Sequence, residues 1–353
     1  MTTAKHLCLL GDATSPHVQR WAREMRQRGW RVSLVTARPA PVDGVDVRAL
    51  RPVRRSLDWL LRVREARRHV ANLSPDIVHA HYVTSYGYLA ARCGQRPLVM
   101  TAWGSDLLVT PHRSPALRWL TGYTLRRADL ITGDSASLVD AAQSYRPACP
   151  VEEIHWGVDL QRFQPTPWSQ KPGLQLVSLR AWEPNYHIDT IVEAFALLRA
   201  RLPADAPLRL HLLGGGSLEP ALRAQVQRSG LQGCVLLHGR LDDAGMARVL
   251  GESRVSISVP GSDATSVAVL ESMACGLPVV ATRLQANAHW LDAQWLVEPR
   301  NAGALADQLQ KLLTNDALAQ ATGERNAARI ARDGDRAVQM DRMHALYQSL
   351  LNR

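Results

Sequence analysis

The 353 residues include 46% apolar, 21% charged and 5% aromatic residues. That balance excludes a disordered or fibrous chain and suits an enzyme or binding protein of two domains, each able to bury its own core. Five scattered cysteines (Cys8, Cys93, Cys149, Cys234, Cys275) form no C-x-x-C pair, no apolar run approaches a membrane span, and the stretch before Leu7 is too brief for a signal peptide, so a reducing cytosol is the expected setting. The formal charge is +10, of which +8 lies within the first 160 residues (22 Lys plus Arg against 14 Asp plus Glu), so the N-terminal part is expected to face something anionic.

In chain order, His6 to Leu10 forms an apolar strand and Gly11 to Ser15 a turn. Val18, Trp21, Ala22 and Met25 then mark a helical face ended by Gly29, and Arg31 to Thr36 is a second strand. The alternation continues through Asp76 to Ala80, Leu98 to Thr101, Leu130 to Thr132 and Val151 to His155, which predicts a doubly wound parallel sheet. Three prolines in Phe163 to Pro172 mark a boundary. Beyond it Leu174 to Leu179, Leu208 to Leu213, Val235 to His238, Val255 to Val259 and Pro278 to Ala281 are short apolar runs between helical stretches, the pattern of a second parallel sheet. The predicted fold class is therefore α/β, two Rossmann-like domains over residues 1–163 and 173–335 facing a central cleft, without internal repeats or low-complexity tracts.

The densest functional signal is SVPGSDATSVAVLESMACGLPVVAT, Ser258 to Thr282. It is a strand, a small-residue turn, a helix, a glycine stop and a strand. Gly261, Ser262, Ala264, Thr265 and Ser266 leave backbone N–H groups uncovered where the helix begins, an anion site by dipole and by donors. Asp263 and Glu271 stand eight residues apart, either as two acids for ribose and sugar hydroxyls or as an N-cap and a solvated glutamate.

This stretch resembles the acid-x7-acid signature of retaining glycosyltransferases of family four, and the two-sheet layout resembles their GT-B fold. Other pieces stand in the family's order: Gly11 to His17, PLVMTAWGSD at Pro97 to Asp106, HWGVDLQRF at His155 to Phe163, Arg180 after a strand, and LLGGGSLEPAL at Leu212 to Leu222. The resemblance implies that Glu271 binds the donor's ribose and that Asp263, where the family usually has Glu, touches the transferred sugar. It implies that Arg180 holds the donor diphosphate and stabilises the leaving group, as a permanently charged planar guanidinium can. The lysine the family commonly carries some six residues later is absent; Tyr186 and His187 occupy that place, and His187 is expected to assist. The family's T-x-H-G histidine is replaced by Trp103 within Thr101 to Gly104, a residue that either stacks on an acceptor sugar or fills the core. Asp106 either bonds acceptor hydroxyls or caps a helix. Gly11 would let a substrate approach the backbone, Gly214 and Gly215 would line the donor cleft or make a tight turn, and Arg240 with Gly239 and Leu241 would form the loop that reads the base. The terminal helix, residues 336–351, is expected to pack back on the N-terminal domain.

What the resemblance implies is retaining transfer from a UDP- or GDP-sugar to a hydroxyl of a glycan or lipid-linked glycan in surface polysaccharide biosynthesis, without metal or other cofactor and without specific nucleic-acid binding. His79 and His81, two apart on a strand, are expected to be structural. Arg51 to Val70 has seven arginines and a histidine against two acids, with leucines interleaved. It is either a membrane-surface helix, which would place the protein on the inner face of a membrane, or a crossover helix with a solvated basic face. Open alternatives are a sugar-nucleotide epimerase, an anion binder and an inactive family member.

Overall fold

The runs His6–Leu10, Ile77–His81 and Leu98–Ala102 are buried at every residue, as strands covered by helices on both faces must be. In the computed structural model, which describes residues 4–55, 57–263 and 265–352, they form the centre of the first of two parallel sheets. Two units carry one sheet each: residues 4–156 with 338–352, and residues 157–337.

The first unit runs β1 (His6–Leu10), α1 (Pro16–Gln27), β2 (Arg31–Thr36), β3 (Asp46–Ala49), α2 (Asp58–Leu73), β4 (Ile77–His81), α3 (Tyr88–Cys93), β5 (Leu98–Ala102), α4 (Ser105–Leu108), α5 (Pro115–Leu125), β6 (Leu130–Gly133), α6 (Ala136–Gln143) and β7 (Val151–Glu153). Its strand order is β3-β2-β1-β4-β5-β6-β7. The second unit runs β8 (Leu174–Ser178), α7 (Ile188–Arg201), β9 (Leu208–Leu213), α8 (Glu219–Arg228), β10 (Val235–Gly239), α9 (Asp243–Glu252), β11 (Val255–Ser258), α10 (Val267–Ala274), β12 (Val279–Thr282), α11 (Gln285–Trp290), β13 (Leu296–Val297), α12 (Ala302–Leu313) and α13 (Asp316–Asp333). Its order is β10-β9-β8-β11-β12-β13. In each sheet the first strand is flanked by the second and the fourth, because the chain winds away to one side and returns on the other. Such a sheet binds ligands where those two strands end and their loops part.

The change of unit falls at residues 156/157, earlier than the prolines suggest. Val158 N–H donates to Gly334 O (2.8 Å), Arg336 N–H donates to Val158 O (3.0 Å), and Phe163 is buried with Val177, Val269 and Leu270, so residues 157–172 belong to the second unit. The last helix, α14 (Arg336–Leu351), lies in the first unit from Val338 onward. Its Met340, Met343 and Tyr347 are buried with Leu7, Leu9, Trp21 and Ile77. Trp21 Nε1 donates to the Tyr347 hydroxyl (3.0 Å), which also meets His79 Nδ1 (2.5 Å), while His79 Nε2 meets Thr101 Oγ1 (2.6 Å). His79 is thus a structural histidine tying α14 to β4 and β5.

Helix α2, within the basic segment, carries two apolar stripes. Trp59, Val63, Ala66, Val70 and Leu73 face the core, whereas Leu57 just before the helix, with Leu60 and Leu61, is 72%, 48% and 66% exposed. No described helix is long and apolar enough to cross a membrane.

Burial holds His79 neutral, its pKa well below the ordinary 6.5, and pushes His81 down to about 3. The unfolded chain takes up these protons near 6.5 and the folded chain does not, so their contribution to stability is complete above that pH and is lost as pH falls below it. Urea midpoints measured from pH 7.5 to 5 are expected to fall, each such histidine contributing a slope of about 1.4 kcal/mol per pH unit below 6.5. In His81→Gln the slope is expected to diminish by one proton.

Candidate active site

At the second sheet's switch point β8 and β11 lie side by side. Two residues past β8, Arg180 is 8% exposed; beyond β11 the chain turns through Gly261–Asp263 to Ser266, the N-cap of α10. Arg180 donates from Nη2 to Asp263 Oδ2 (2.6 Å) and from Nη1 to Ser266 Oγ, and its guanidinium lies 4.4 Å from the centre of the Tyr186 ring. Its Nε–H, also buried, has no acceptor among the described residues. Ser266 Oγ accepts from Val269 N–H (3.4 Å) and so caps α10, whose first turn carries no acid. An arginine, a hydroxyl and a helix N-terminus therefore converge, the combination that suits a phosphate.

Asn185, which sequence reasoning passed over, pins this turn to the loop after β8. Its carbonyl accepts from Gly261 N–H (2.7 Å), its Oδ1 accepts from Ser262 N–H (3.1 Å), and its Nδ2 donates to Ser262 O (2.8 Å). A lone asparagine in a loop carries no signal of such a role. His187, buried at φ +46°, precedes α7 and packs against Gly261, where an added Cβ would stand 2.9 Å from its Nε2. Burial, then the charge of Arg300, lowers its pKa, so the imidazole is neutral at pH 7.

Gly214, at φ +155°, packs so closely that a Cβ would lie 2.2 Å from Arg180 O, and Gly215 O accepts from Trp182 N–H (3.1 Å). These glycines hold the loop after β9 against the loop bearing Arg180. Arg240, exposed after β10, packs over Gly215. Glu271, 4% exposed on α10, stands among Val269, Leu270 and Met273. Thr265 is buried next to the N-cap, and Ala264 lies outside the described residues.

At the first sheet's switch point β1 and β4 are neighbours. A cavity of about 580 Å³ is lined there by Asp12, Arg38, Arg54, Arg55, Trp59, His81, Tyr82, Tyr86 and Trp103, among others. Gly11 is buried, and a Cβ on it would crowd Val18 at 3.1 Å, so its smallness serves the β1–α1 packing. Trp103 is half-buried, sets its indole edge-on to His17, His81 and Trp156, and donates to His81 Nδ1 (3.4 Å).

Asp106 departs from the expected contact with acceptor hydroxyls. It is fully buried, with Oδ1 accepting from Trp103 N–H (2.9 Å) and Gly104 N–H (3.0 Å) and Oδ2 from Val83 N–H (2.7 Å). Burial raises its pKa and the three amides counter the rise. It is a positioning residue, joining the turn after β5 to the π-helical turn Val83–Gly87, which brings Ser85 and Tyr86 to the cavity wall. Tyr82, at φ +77°, is a bulky residue held in a conformation that costs energy, a feature that gathers at binding sites.

Two doubly wound sheets with polar loops at their switch points define a two-Rossmann protein. The "Glycosyl transferase 4-like" family matches residues 6–135 and "Glycosyl transferases group 1" matches residues 174–315. The chain belongs to this glycosyltransferase family and is a transferase enzyme. It is similar to N-acetyl-alpha-D-glucosaminyl L-malate synthase of Bacillus anthracis, 24% identical over 71% of this chain and 68% of that protein. It is also similar to a putative colanic acid biosynthesis glycosyltransferase of Escherichia coli, WcaL, at 29% identity over 57% of this chain and 50% of that protein. The chain thus spans two thirds of the first relative's length and half of the second's. Among solved structures it shares its fold with sucrose-phosphate synthase from Thermosynechococcus elongatus (TM-score 0.81, 18% identity, 99% of both chains) and with Anabaena HepE in complex with UDP (TM-score 0.80, 16% identity, 98% of this chain and 100% of that one). Both are GT-B structures.

Gly214→Ala is expected to push the Arg180 backbone aside and to lower stability by about 1–3 kcal/mol, read as a fall in Tm. Asp106→Ala would strand three buried N–H groups; a loss of about 3 kcal/mol in chemical denaturation is expected, with changed near-UV circular dichroism from Trp103.

Proposed function

We propose that this enzyme moves a sugar from a UDP- or GDP-sugar to a hydroxyl of a glycan or lipid-linked glycan acceptor, with retention at the anomeric carbon. The proposal places it in surface polysaccharide synthesis at the cytoplasmic face of a membrane. The observation that carries this reading is Arg180, buried at the second switch point between Asp263, Ser266 and the start of α10 with one N–H still unsatisfied. HepE, a structure of the same fold, is described in complex with UDP, which supports a nucleotide donor.

On this reading the donor diphosphate accepts from Arg180 and from the first amides of α10, and Glu271 accepts from ribose hydroxyls. The charge that grows on the leaving diphosphate is met by groups already in place. Asp263 accepts from hydroxyls of the transferred sugar, and the acceptor hydroxyl attacks the face that the diphosphate leaves. Arginine and helix amides supply this charge neutralisation without a metal. Arg240 beside Gly215 approaches the base.

A thermal-shift series with UDP, GDP and their sugars, without added metal, is expected to pick out one base. A ligand at 100 times its Kd adds about 2.7 kcal/mol of stability. Arg180→Ala and Glu271→Gln are each expected to cut turnover at least about 100-fold while the protein stays folded. Full turnover in both variants would overturn the assignment of the site.

A further inference from the structure

Residues 77–128 carry six arginines against one acid, Asp106, and that acid is buried. Asp129, the next acid along the chain, is committed to Arg96 (2.6 Å). The surface of α3 and α5, which pack together, is therefore cationic without a counter-charge of its own: Arg92, Arg118 and Arg127 form no ion pair within 4 Å among the described residues.

In the middle of that charge stands a fixed aromatic group. Trp119 is 66% exposed, yet it is stacked on Tyr123, with ring centres 5.7 Å apart and planes 21° from parallel. Tyr123 is held in turn by Arg92, whose Nη1 donates to its hydroxyl (3.2 Å), by Arg127, whose guanidinium lies 4.7 Å from the ring centre, and by the Tyr88 ring, 6.5 Å away. Trp119 and Tyr123 are four residues apart on α5, so the helix sets one ring above the other. Two guanidinium groups and two tyrosines thus steady one indole that faces solvent, and an indole steadied in advance loses little freedom when a flat face settles on it.

The occupant has to offer a flat face of C–H groups and negative charge beside it. A sugar ring bearing a carboxylate has both. A second copy of this chain would bring arginines against arginines, a like-charge contact. A nucleic-acid strand is held by several stacking rings in succession, whereas Trp119 is the one large apolar side chain exposed on the described parts of α3 and α5, which also leaves little apolar area to sink into a bilayer. Resting on the glycosyl-transfer reading, which makes a glycan the acceptor, we propose that α3 and α5 form a holding site for an acidic glycan chain. One uronic acid ring stacks on Trp119 and its carboxylate accepts from Arg92 and Arg127. None of these three residues lines the cavity at the first switch point, so the site grips a part of the glycan other than the reacting hydroxyl.

The test is calorimetric titration of the full chain with a galacturonic acid hexasaccharide, with maltohexaose as its neutral counterpart and inorganic polyphosphate as charge without rings. The acidic hexasaccharide is expected to bind at least about tenfold tighter than maltohexaose. Trp119→Ala is expected to weaken it about tenfold while leaving polyphosphate unaffected, and Trp119→Tyr to retain most of the affinity. The paired change Arg92→Gln and Arg127→Gln is expected to bring the acidic hexasaccharide down to the affinity of maltohexaose. Trp119 is exposed, so an unchanged Tm is the check on folding. Indifference to Trp119→Ala overturns the site, because binding at the cavity would not depend on that residue. Equal binding of maltohexaose overturns the acidic class. A thymidine oligonucleotide or phosphatidylglycerol vesicles that bind with the same dependence on Trp119 overturn the glycan as occupant, as does self-association in sedimentation that Trp119→Ala removes. UDP and GDP are titrated into the same preparations. Nucleotide binding that survives Trp119→Ala leaves the donor site standing if the hexasaccharide fails, whereas binding of neither nucleotide counts against the proposed function instead.

Discussion

A guanidinium withdrawn from water has to be matched in charge and in hydrogen bonds, because a buried charge left unpaired costs several kcal/mol. Arg180 is under that constraint, and the loops of the second unit are arranged to meet it. Asp263 supplies the opposite charge, Ser266 a hydroxyl oxygen and Tyr186 a π face. These come from the two segments that follow β8 and β11, and Asn185 fastens one segment to the other. Gly214 lets a third segment close on the Arg180 backbone. On the proposed reading the same constraint governs ligand binding. A diphosphate offers Arg180 what Asp263 now offers it, with more charge and more acceptors, so a donor could take over the arginine and release the carboxylate for sugar hydroxyls.

The first unit solves a related problem with the opposite charge. Its buried carboxylate Asp106 accepts from three backbone N–H groups and holds two turns together. What those turns present to the cavity is aromatic and hydroxyl-bearing rather than ionic, and the charge comes from elsewhere, from Asp12, Arg38 and the loop ahead of α2. One topology thus yields two loop clusters of different chemistry, because the strand order fixes only where the loops diverge and leaves their chemistry to local sequence.

The strands that are legible from sequence are those whose burial on both faces demands a nearly unbroken apolar run, such as β1, β5 and β12. β3 escapes because Asp46–Ala49 is an edge strand with no buried residue, and β13 because two residues cannot show a period. The unit boundary was signalled by prolines, but it is set by two backbone hydrogen bonds between Val158 and the segment Gly334–Arg336, partners nearly 180 residues apart that no local pattern links. The convergence of Arg180, Asp263 and Ser266 was legible only through the family resemblance, since a lone arginine after a strand is ordinarily a surface residue. For Asp106 the residue type marked a turn correctly, while a contact with acceptor hydroxyls needs an exposure that tertiary packing denies it. The leucines of α2 were ambiguous for a related reason: two apolar stripes overlap on one helix, and only packing against the sheet separates them.

The replacement of the family's lysine bears on how charge would be managed during transfer. At that place the chain offers Tyr186, engaged through its ring with Arg180, and His187, whose burial and proximity to the positive Arg300 keep it neutral. A second permanent cation beside Arg180 would need its own counter-ion in the ligand-free protein, and Asp263 is already committed. With a neutral imidazole beside it, the Arg180–Asp263 pair needs no further counter-ion. The leaving diphosphate would then be stabilised by Arg180 and by α10 amides whose dipoles are fixed before the donor arrives, so that the cost of orienting them is met in folding rather than in the reaction.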